Sequence, residues 1–563
     1  MLGYTARLWV AALAASTTSV AFAQSTTADS TGGNPQIRLD RGTFIGVRNG
    51  SIDRFLGIPF AKPPLGGLRF SLPVAPDRYT GQHNATEFGP ACHQQALSFT
   101  IPDNLDPQAK AIVENGFGSF PHVSEDCLTV NVYKPSNFPP NSLKKLPVVI
   151  WIYGGGFEVG GSSSYDGAVI VQRSIDLGEP IIYVSMNYRC SLEQIYDTAY
   201  GFLNGAEVKA DGVANLGLQD QREAFRWVQR YIGAFGGDRF RVTIWGQSAG
   251  SISVGLQMVA NGGNTEGLFH AAFMESGSPI SVGDTLKGQK WYDFMVEQLG
   301  CVGSDDTLTC LRDTVSAADI DAAQNLTPAV TNRESLNITW VPRVDGKFLR
   351  DVPYHAVLEG RIANIPFVSG NTDDEGTLFS LQLGNITTDE DVHAYISSNY
   401  FPDATAAEID DLLELYPDDV TLGSPFDTGN ANVIAPQFKR LAAIQGDYLF
   451  QAPRRFLLQN RADRQPAWSY LSKRSKSLPD LGSFHTTDLF IIYTPGDLTD
   501  NLVHFVNYHN PNSRGDASWP RYTRTNPMLL TLLDGSTPTV LEKDNYRADA
   551  MNYMNELLVA YPS

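Results

Sequence analysis

The sequence is short of charge, and shortest of positive charge. Only 18% of its residues are Asp, Glu, Lys or Arg, with 42 basic against 61 acidic, a formal net charge of −19. The Lys/Arg clusters that a phosphate backbone demands are missing, which excludes a nucleic-acid partner. No apolar run of bilayer length, about 20 residues, follows the N-terminal segment, so no transmembrane anchor is expected. Cysteine is scarce, five in 563 residues. None of the five forms a C-x-x-C pair, and H-E-x-x-H is absent, so no metal or organic cofactor is signalled. A glycine loop ending in G-K-[ST] is also missing, as is a G-x-G-x-x-G opening a helix, which removes the nucleotide-phosphate readings.

What is present builds a core. Hydrophobic residues make up 42% and aromatics 11%, which argues against disorder. The length suits one large α/β enzyme carrying insertions. At the N-terminus Arg7 precedes the apolar stretch Leu8-Trp9-Val10-Ala11-Ala12-Leu13, and Ala21-Phe22-Ala23 supplies an A-x-A cleavage site. Residues 1–23 therefore read as a secretion signal, and the protein as secreted and extracellular, with 24–563 forming a single domain. Residues 24–34 are a Ser/Thr/Gly-rich tail. In that compartment Cys301 and Cys310 can close a small loop and Cys92 and Cys127 a longer one, leaving Cys190 over, although spacing does not fix the pairing. Asn49, Asn84, Asn325, Asn337 and Asn385 begin N-x-S/T sequons open to glycosylation, Asn325 weakened by the proline after Thr327.

Short runs rich in β-branched and aromatic residues, at 146–153, 180–187, 242–245 and 365–369, predict buried strands. Between the second and third, Leu218, Ala224, Trp227, Val228 and Ile232 recur at helical spacing. This alternation predicts a mostly parallel sheet covered by helices on both faces, with function at the carboxyl ends of its strands.

The strand Val242–Trp245 runs into Gly246-Gln247-Ser248-Ala249-Gly250, and Ser251–Met258 reads as a helix. Strand, tight turn and helix are the context of a G-x-S-x-G nucleophile elbow, whose glycines leave room for a sharp turn that presents Ser248. An oxyanion hole needs fixed N–H donors. Gly155 and Gly156, directly after the 146–153 strand, and Ala249, beside the serine, can supply them. A serine hydroxyl also needs a base, and the base an orienting carboxylate. Among nine histidines, His485 stands out in Gly482–Asp488, a loop entering an apolar segment, and Glu375 follows the 365–369 strand. The order Ser248, Glu375, His485 is that of α/β-hydrolases. Position alone leaves both partners open.

These residues carry a resemblance. The chain resembles the type-B carboxylesterase/lipase family of α/β-hydrolases, and within it the secreted fungal lipases of the Candida rugosa type. Phe235-Gly236-Gly237 followed by V-T-I-W-G-Q-S-A-G, and Glu125–Tyr133 (E-D-C-L-T-V-N-V-Y), are its signatures. F-L-G-I-P-F-A-K-P-P from Phe55, A-N-L-G-L-Q-D-Q-R from Ala214, and the D-E-G and F-H-T-T-D segments extend it over the mature chain. The resemblance implies Ser248 as nucleophile, His485 as base then acid, Glu375 as orienting carboxylate, and Gly155, Gly156 and Ala249 as oxyanion donors. It implies that Ser251 supports the acid; a helix-start serine satisfying backbone donors is the plain alternative. It also pairs Cys92 with Cys127 and Cys301 with Cys310.

The first bridge would close a flap of residues 93–126, a mobile lid in Candida-type lipases. Asp106-Pro107 predicts a helix start, Gly116 its stop, and Ala109, Ile112 and Val113 share one face. Such a lid would favour a lipid–water interface. Two positions depart from the family: Gln247 replaces the usual glutamate before the nucleophile, and Cys190 stands where an aliphatic residue is usual. The reaction expected is hydrolysis of a small-molecule or lipid ester through an acyl-enzyme, with long-chain fatty esters, sterol esters included, the first reading. Short-chain or feruloyl-type esters are the second. A catalytically silent binding protein on the same scaffold is disfavoured by the presence of all three triad residues.

Overall fold

The computed structural model of the protein describes residues 33–95, 99–116, 122–139, 142–190 and 200–563. The signal sequence expected at 1–23 lies outside the described residues, as do most of the 24–34 tail and residues 96–98 and 117–121 of the flap.

The strands are β1 (Gln36–Leu39), β2 (Arg41–Ile45), β3 (Val47–Asn49), β4 (Ile52–Pro59), β5 (Thr80–Asn84), β6 (Thr129–Pro135) and β7 (Leu146–Ile152). They continue with β8 (Ile182–Met186), β9 (Gly237–Gln247), β10 (Ala271–Glu275), β11 (Phe367–Thr372), β12 (Ala467–Ser472), β13 (Met528–Leu532) and β14 (Thr539–Lys543). Among the described residues, β1, β2 and β5 form a small sheet, and the other strands form one large sheet in the order β14-β13-β12-β11-β10-β9-β7-β8-β6-β4-β3. From β8 through β13 neighbouring strands run parallel. The margins are antiparallel. This is the mostly parallel sheet of an α/β-hydrolase. The strands expected at 146–153, 180–187, 242–245 and 365–369 appear as β7, β8, β9 and β11. Strand β9 is longer than its apolar run because Leu146 already pairs with Gly237, extending the ladder past the polar Asp238-Arg239 stretch.

Every residue of β7 and β8 is buried, as strands covered on both faces must be. Trp151 and Trp245 pack across β7 and β9 at 4.3 Å between ring centroids, their planes tilted by 56°. One cover is a long helix over Leu216–Tyr231 that buries Leu218, Ala224, Trp227 and Val228, the apolar stripe expected there. Another begins at Ala249 and follows the serine directly. It runs to Gly263, leaving helical geometry at Ala260. Ser251 is its third residue; its hydroxyl donates to the Gly277 carbonyl at 2.8 Å.

The disulfides Cys92–Cys127 and Cys301–Cys310 are both formed. Cys190 is buried, its sulfur 3.8 Å from the Tyr153 hydroxyl. Inside the flap a helix, α1 (Pro107–Asn115), is capped by Asp106, whose carboxylate accepts from the Gln108 N–H at 2.8 Å. Its Ala109, Ile112 and Val113 face a separate apolar cluster with Leu378, Leu381, Phe438, Leu481 and Phe484. No helix among the described residues is long and apolar enough to cross a membrane.

Close approach at the elbow makes glycine obligatory. A Cβ on Gly250 would fall 2.0 Å from the Ile152 carbonyl oxygen, and one on Gly246 would fall 2.5 Å from the Gly250 backbone. Gly250→Ala should therefore destabilise the protein by about 3 kcal/mol or more, since neither neighbour can retreat without breaking the β7–β9 contact. Urea unfolding of the variant against the parent checks this; equal midpoints would contradict it.

Candidate active site

Ser248 sits at the carboxyl end of β9 with φ +56° and ψ −129°, a conformation an L-residue adopts only under constraint. Its N–H donates to the Glu275 carbonyl at 2.9 Å, and its own carbonyl accepts from the Ile252 N–H at 2.8 Å. The turn is thus pinned between β10 and the first turn of the following helix. Its side chain keeps partial access to solvent.

Three loops bring polar groups to it. The loop after β12 carries His485, whose Nε2 lies 2.8 Å from Ser248 Oγ. The loop after β11 carries Glu375, whose Oε2 lies 2.6 Å from His485 Nδ1. The other carboxylate oxygen accepts from Asn371 Nδ2 at 3.0 Å and the Thr372 N–H at 2.9 Å. With Nδ1–H donated to Glu375, Nε2 faces the serine with its lone pair and can take the hydroxyl proton. The rings of Phe379 and Phe450, stacked on each other at 5.8 Å, pack together against one side of the imidazole at 5.2 and 4.5 Å between centroids. They fix its plane and keep water from it.

The third loop follows β7. Gly155 and Gly156 have φ of +106° and +66°, and the Gly155 carbonyl is held by the Glu158 and Val159 N–H groups at 3.0 and 2.9 Å. A Cβ on Gly154 would lie 2.8 Å from Ser248 Cβ, so the loop passes directly against the serine. Among the described residues nothing accepts from the N–H groups of Gly155, Gly156 or Ala249. Donors left open beside a nucleophile can bind a developing oxyanion.

Several residues that the motifs did not single out hold this arrangement. Asp374 ties the acid loop to the histidine loop. Its carboxylate accepts from the Ser483 N–H at 2.8 Å and from Lys476 Nζ at 2.8 and 2.7 Å, and its N–H donates to the Ser483 carbonyl at 2.9 Å. Behind His485, Asp488 Oδ2 accepts from the Ser276 and Tyr470 hydroxyls at 3.0 and 3.1 Å. Burial, then the negative charge of Glu375, pushes the Asp488 carboxyl up to about 6. Burial, then Asp488, drives the Glu275 carboxyl well above the usual carboxylate range; among the described residues the one hydrogen bond to that carboxyl comes from the Trp245 indole. A signal was available for two of these: Asp374 adjoins Glu375, and Asp488 lies three residues beyond His485. The role expected for Ser251 is not made by its hydroxyl, which goes to Gly277, while Glu375 is held by Asn371, Thr372 and His485. The helix start directs that hydroxyl at β10's following loop rather than at the acid. Among the described residues no group of His, Cys, Asp and Glu is arranged to hold a metal ion.

Gln247 is buried, and its amide nitrogen lies 3.4 Å from His485 Nε2. A carboxylate there would favour imidazolium, and activity that needs neutral imidazole is lost as pH falls through the imidazolium pKa. Gln247→Glu should accordingly move the acid limb of the kcat/KM profile to higher pH by about one pH unit. A soluble p-nitrophenyl ester assayed from pH 4 to 9 measures it, and superimposed limbs would refute the contact's electrostatic effect.

The Carboxylesterase family matches residues 33–554. Lipase 4 of Diutina rugosa is 39% identical, the match covering 91% of this chain and 94% of that one. A secreted triacylglycerol lipase of Gibberella zeae is 37% identical over 92% of this chain and 89% of its own. The crystal structure of Aspergillus niger EstA superposes with a TM-score of 0.79 at 28% identity, covering 94% of this chain and 99% of EstA. The chain belongs to the carboxylesterase family and is a carboxylic ester hydrolase of the α/β-hydrolase fold.

Proposed function

We propose that the protein is a secreted lipase that cleaves long-chain fatty esters through an acyl-enzyme on Ser248. The observation that carries the chemistry is the unbroken line Ser248 Oγ–His485 Nε2, His485 Nδ1–Glu375 Oε2 at 2.8 and 2.6 Å. Ser248 Oγ attacks the ester carbonyl carbon while His485 Nε2 takes the hydroxyl proton, and Glu375 steadies the imidazolium that results. The carbonyl oxygen becomes an oxyanion facing the Gly155, Gly156 and Ala249 N–H groups. Collapse breaks the bond to the alkoxy oxygen, which leaves as alcohol with the proton from His485. Water then gives a proton to His485 and attacks the acyl carbon; collapse breaks the bond from that carbon to Ser248 Oγ, which takes the proton back from His485 as the acid leaves.

The long-chain reading draws support from the flap and from the relatives. We take residues 93–126 as a lid over the site. Its helix α1 buries Ile112 and Val113 against a cluster that includes Phe484, the residue before His485. Swinging the helix into water would cost about 1.5–3 kcal/mol for each such side chain exposed. A lipid surface offsets that cost by covering the same face. The relatives named as lipases, one as a secreted triacylglycerol lipase, share more than a third of the sequence over most of its length. We read export in the same way, with cleavage before Gln24. The sequon residues Asn49, Asn84, Asn325, Asn337 and Asn385 are all exposed and so accessible to glycosylation in a secretory compartment.

Ser248→Ala should leave only a residual acceleration of about 10³–10⁴-fold over water; full esterase activity in that variant would refute the nucleophile assignment. An ester series of increasing acyl length, assayed across each substrate's solubility limit, tests the lipase reading. A rate jump above that limit with long chains preferred is the expected result. Plain saturation on short or feruloyl esters without a jump would reject it. Protein recovered from culture medium should begin near Gln24, as N-terminal sequencing would read.

A further inference from the structure

Behind the oxyanion loop lies a carboxyl group for which the ester chemistry has no use. Glu158 follows Gly155-Gly156-Phe157 and is fully buried. Its Oε2 accepts from the Val330 N–H at 2.8 Å, and among the described residues its Oε1 has no hydrogen-bond partner. An unsatisfied buried oxygen is costly, so its retention calls for a reason.

The surroundings supply one. A Cβ on Gly156 would lie 3.3 Å from Val330 Cβ, so Val330 packs on an oxyanion-loop glycine while Glu158 holds its backbone from behind. The main chain of Glu158 extends the same support. Its N–H donates to the Gly155 carbonyl at 3.0 Å, and its carbonyl accepts from the Gln95 N–H at 2.7 Å. Gln95 Nε2 in turn donates to the Thr327 carbonyl at 2.9 Å, three residues before Val330. Next to it, Gln94 closes both of its amide atoms on the backbone of Gly160, donating to the carbonyl at 2.5 Å and accepting from the N–H. Gln94 and Gln95 directly follow His93 and the Cys92–Cys127 bridge, at the root of the flap. Flap root, oxyanion loop and the 327–330 segment are therefore one hydrogen-bonded block.

We propose that Glu158 is a positioning residue of the oxyanion loop. By holding Val330 against Gly156, while Gln94 and Gln95 moor the loop to the flap root, it keeps the Gly155 and Gly156 N–H groups aligned for the oxyanion. The inference rests on reading those N–H groups as oxyanion donors. The device works with the acid neutral. A carboxylate there would have one backbone donor and no counter-charge, and its negative field would oppose the oxyanion forming on the other side of the loop. Burial, opposed only by the Val330 N–H, pushes the Glu158 carboxyl up to about 8. The neighbouring segments bring three other titratable side chains, Tyr153, His93 and Asp321. The Tyr153 phenol is driven well above its ordinary value by burial, and His93 lies 3.5 Å from Asp321. None of the three acts on Glu158. Because its folded value stands above the ordinary carboxylate value, the proton is held through neutral pH and lost above about pH 8.

The test is kcat and KM for a soluble p-nitrophenyl ester between pH 6 and 10, on the parent, Glu158→Gln and Glu158→Leu. Glu158→Gln keeps a neutral acceptor for Val330, so it should match the parent's kcat at pH 7 and lack the fall in kcat expected of the parent above pH 8. Glu158→Leu cannot hold the Val330 N–H and should lower kcat about tenfold or more with KM little changed, a fraction of what loss of a whole oxyanion donor removes. Parent and Glu158→Gln profiles that coincide above pH 8 would overturn the proposal, and they decide it even where Glu158→Leu fails to fold. Ser248→Ala run alongside keeps the two readings apart. Activity surviving in that variant would count against the nucleophile, whereas activity lost there with coincident Glu158 profiles would count against the positioning role alone.

Discussion

The site depends on a backbone that ought not to be where it is. Ser248 occupies φ +56°, a conformation that costs a residue with a side chain of order 1–3 kcal/mol. The cost is met by packing that only glycine permits. Gly154, Gly246, Gly250 and Gly277 each bring backbone so close that a Cβ would lie within 2.9 Å of a neighbouring atom, in each case in or beside the elbow. Strand β9 can therefore end, turn and enter a helix within one residue, leaving the hydroxyl at the edge of the sheet. The loops after β7, β11 and β12 all leave the same carboxyl edge of the parallel sheet, as the topology requires, and converge on that point.

Convergence alone would not give a working relay. Glu375 is fixed through both of its oxygens. Asp374, its neighbour, fastens the acid loop to the histidine loop through Ser483 and Lys476. The distance from acid to imidazole is thus set by backbone N–H groups and by buried side chains that are themselves tied down. Behind them Asp488 and Glu275 are held toward their protonated forms by burial. The rear of the site is accordingly rich in carboxyl groups without carrying a full negative charge on each. An imidazolium formed in front of it is stabilised, and the resting site avoids three mutually repelling carboxylates in a dry interior.

Local sequence revealed those parts of this arrangement that local physics dictates. The elbow was legible because an apolar strand, two glycines around Ser248 and a helical run are contiguous. The flap helix was legible because Asp106, Pro107 and Gly116 are start and stop signals whatever lies around them. The pattern of β7 and β8 could mean little else. Strand β10, Ala-Ala-Phe-Met-Glu, escaped notice because it has no β-branched residue and is a strand only through its neighbours β9 and β11. His485 could not be separated from eight other histidines by position, since its partners lie 110 and 237 residues away. The support given by Asp374 and by Phe450 is likewise tertiary. For Ser251 the family pattern pointed at the acid, but the hydroxyl follows the geometry of its own helix start and reaches Gly277.

The flap adds a second level to the site. Its root is stitched to the glycine loop after β7 by Gln94 and Gln95, and its helix rests on a cluster that includes Phe484, the residue before the histidine. Flap and site loops thus share residues, and if the flap is a lid, as we propose, access and chemistry share them too. All of it presumes that the ester's acyl group passes through Ser248, and covalent trapping tests that most directly. Incubation with diethyl p-nitrophenyl phosphate, followed by intact-mass measurement and peptide mapping, should show one diethylphosphoryl group per chain, on the peptide containing Ser248, appearing in step with loss of esterase activity. Complete inactivation with the label on another residue, or with Ser248 unmodified, would contradict the account.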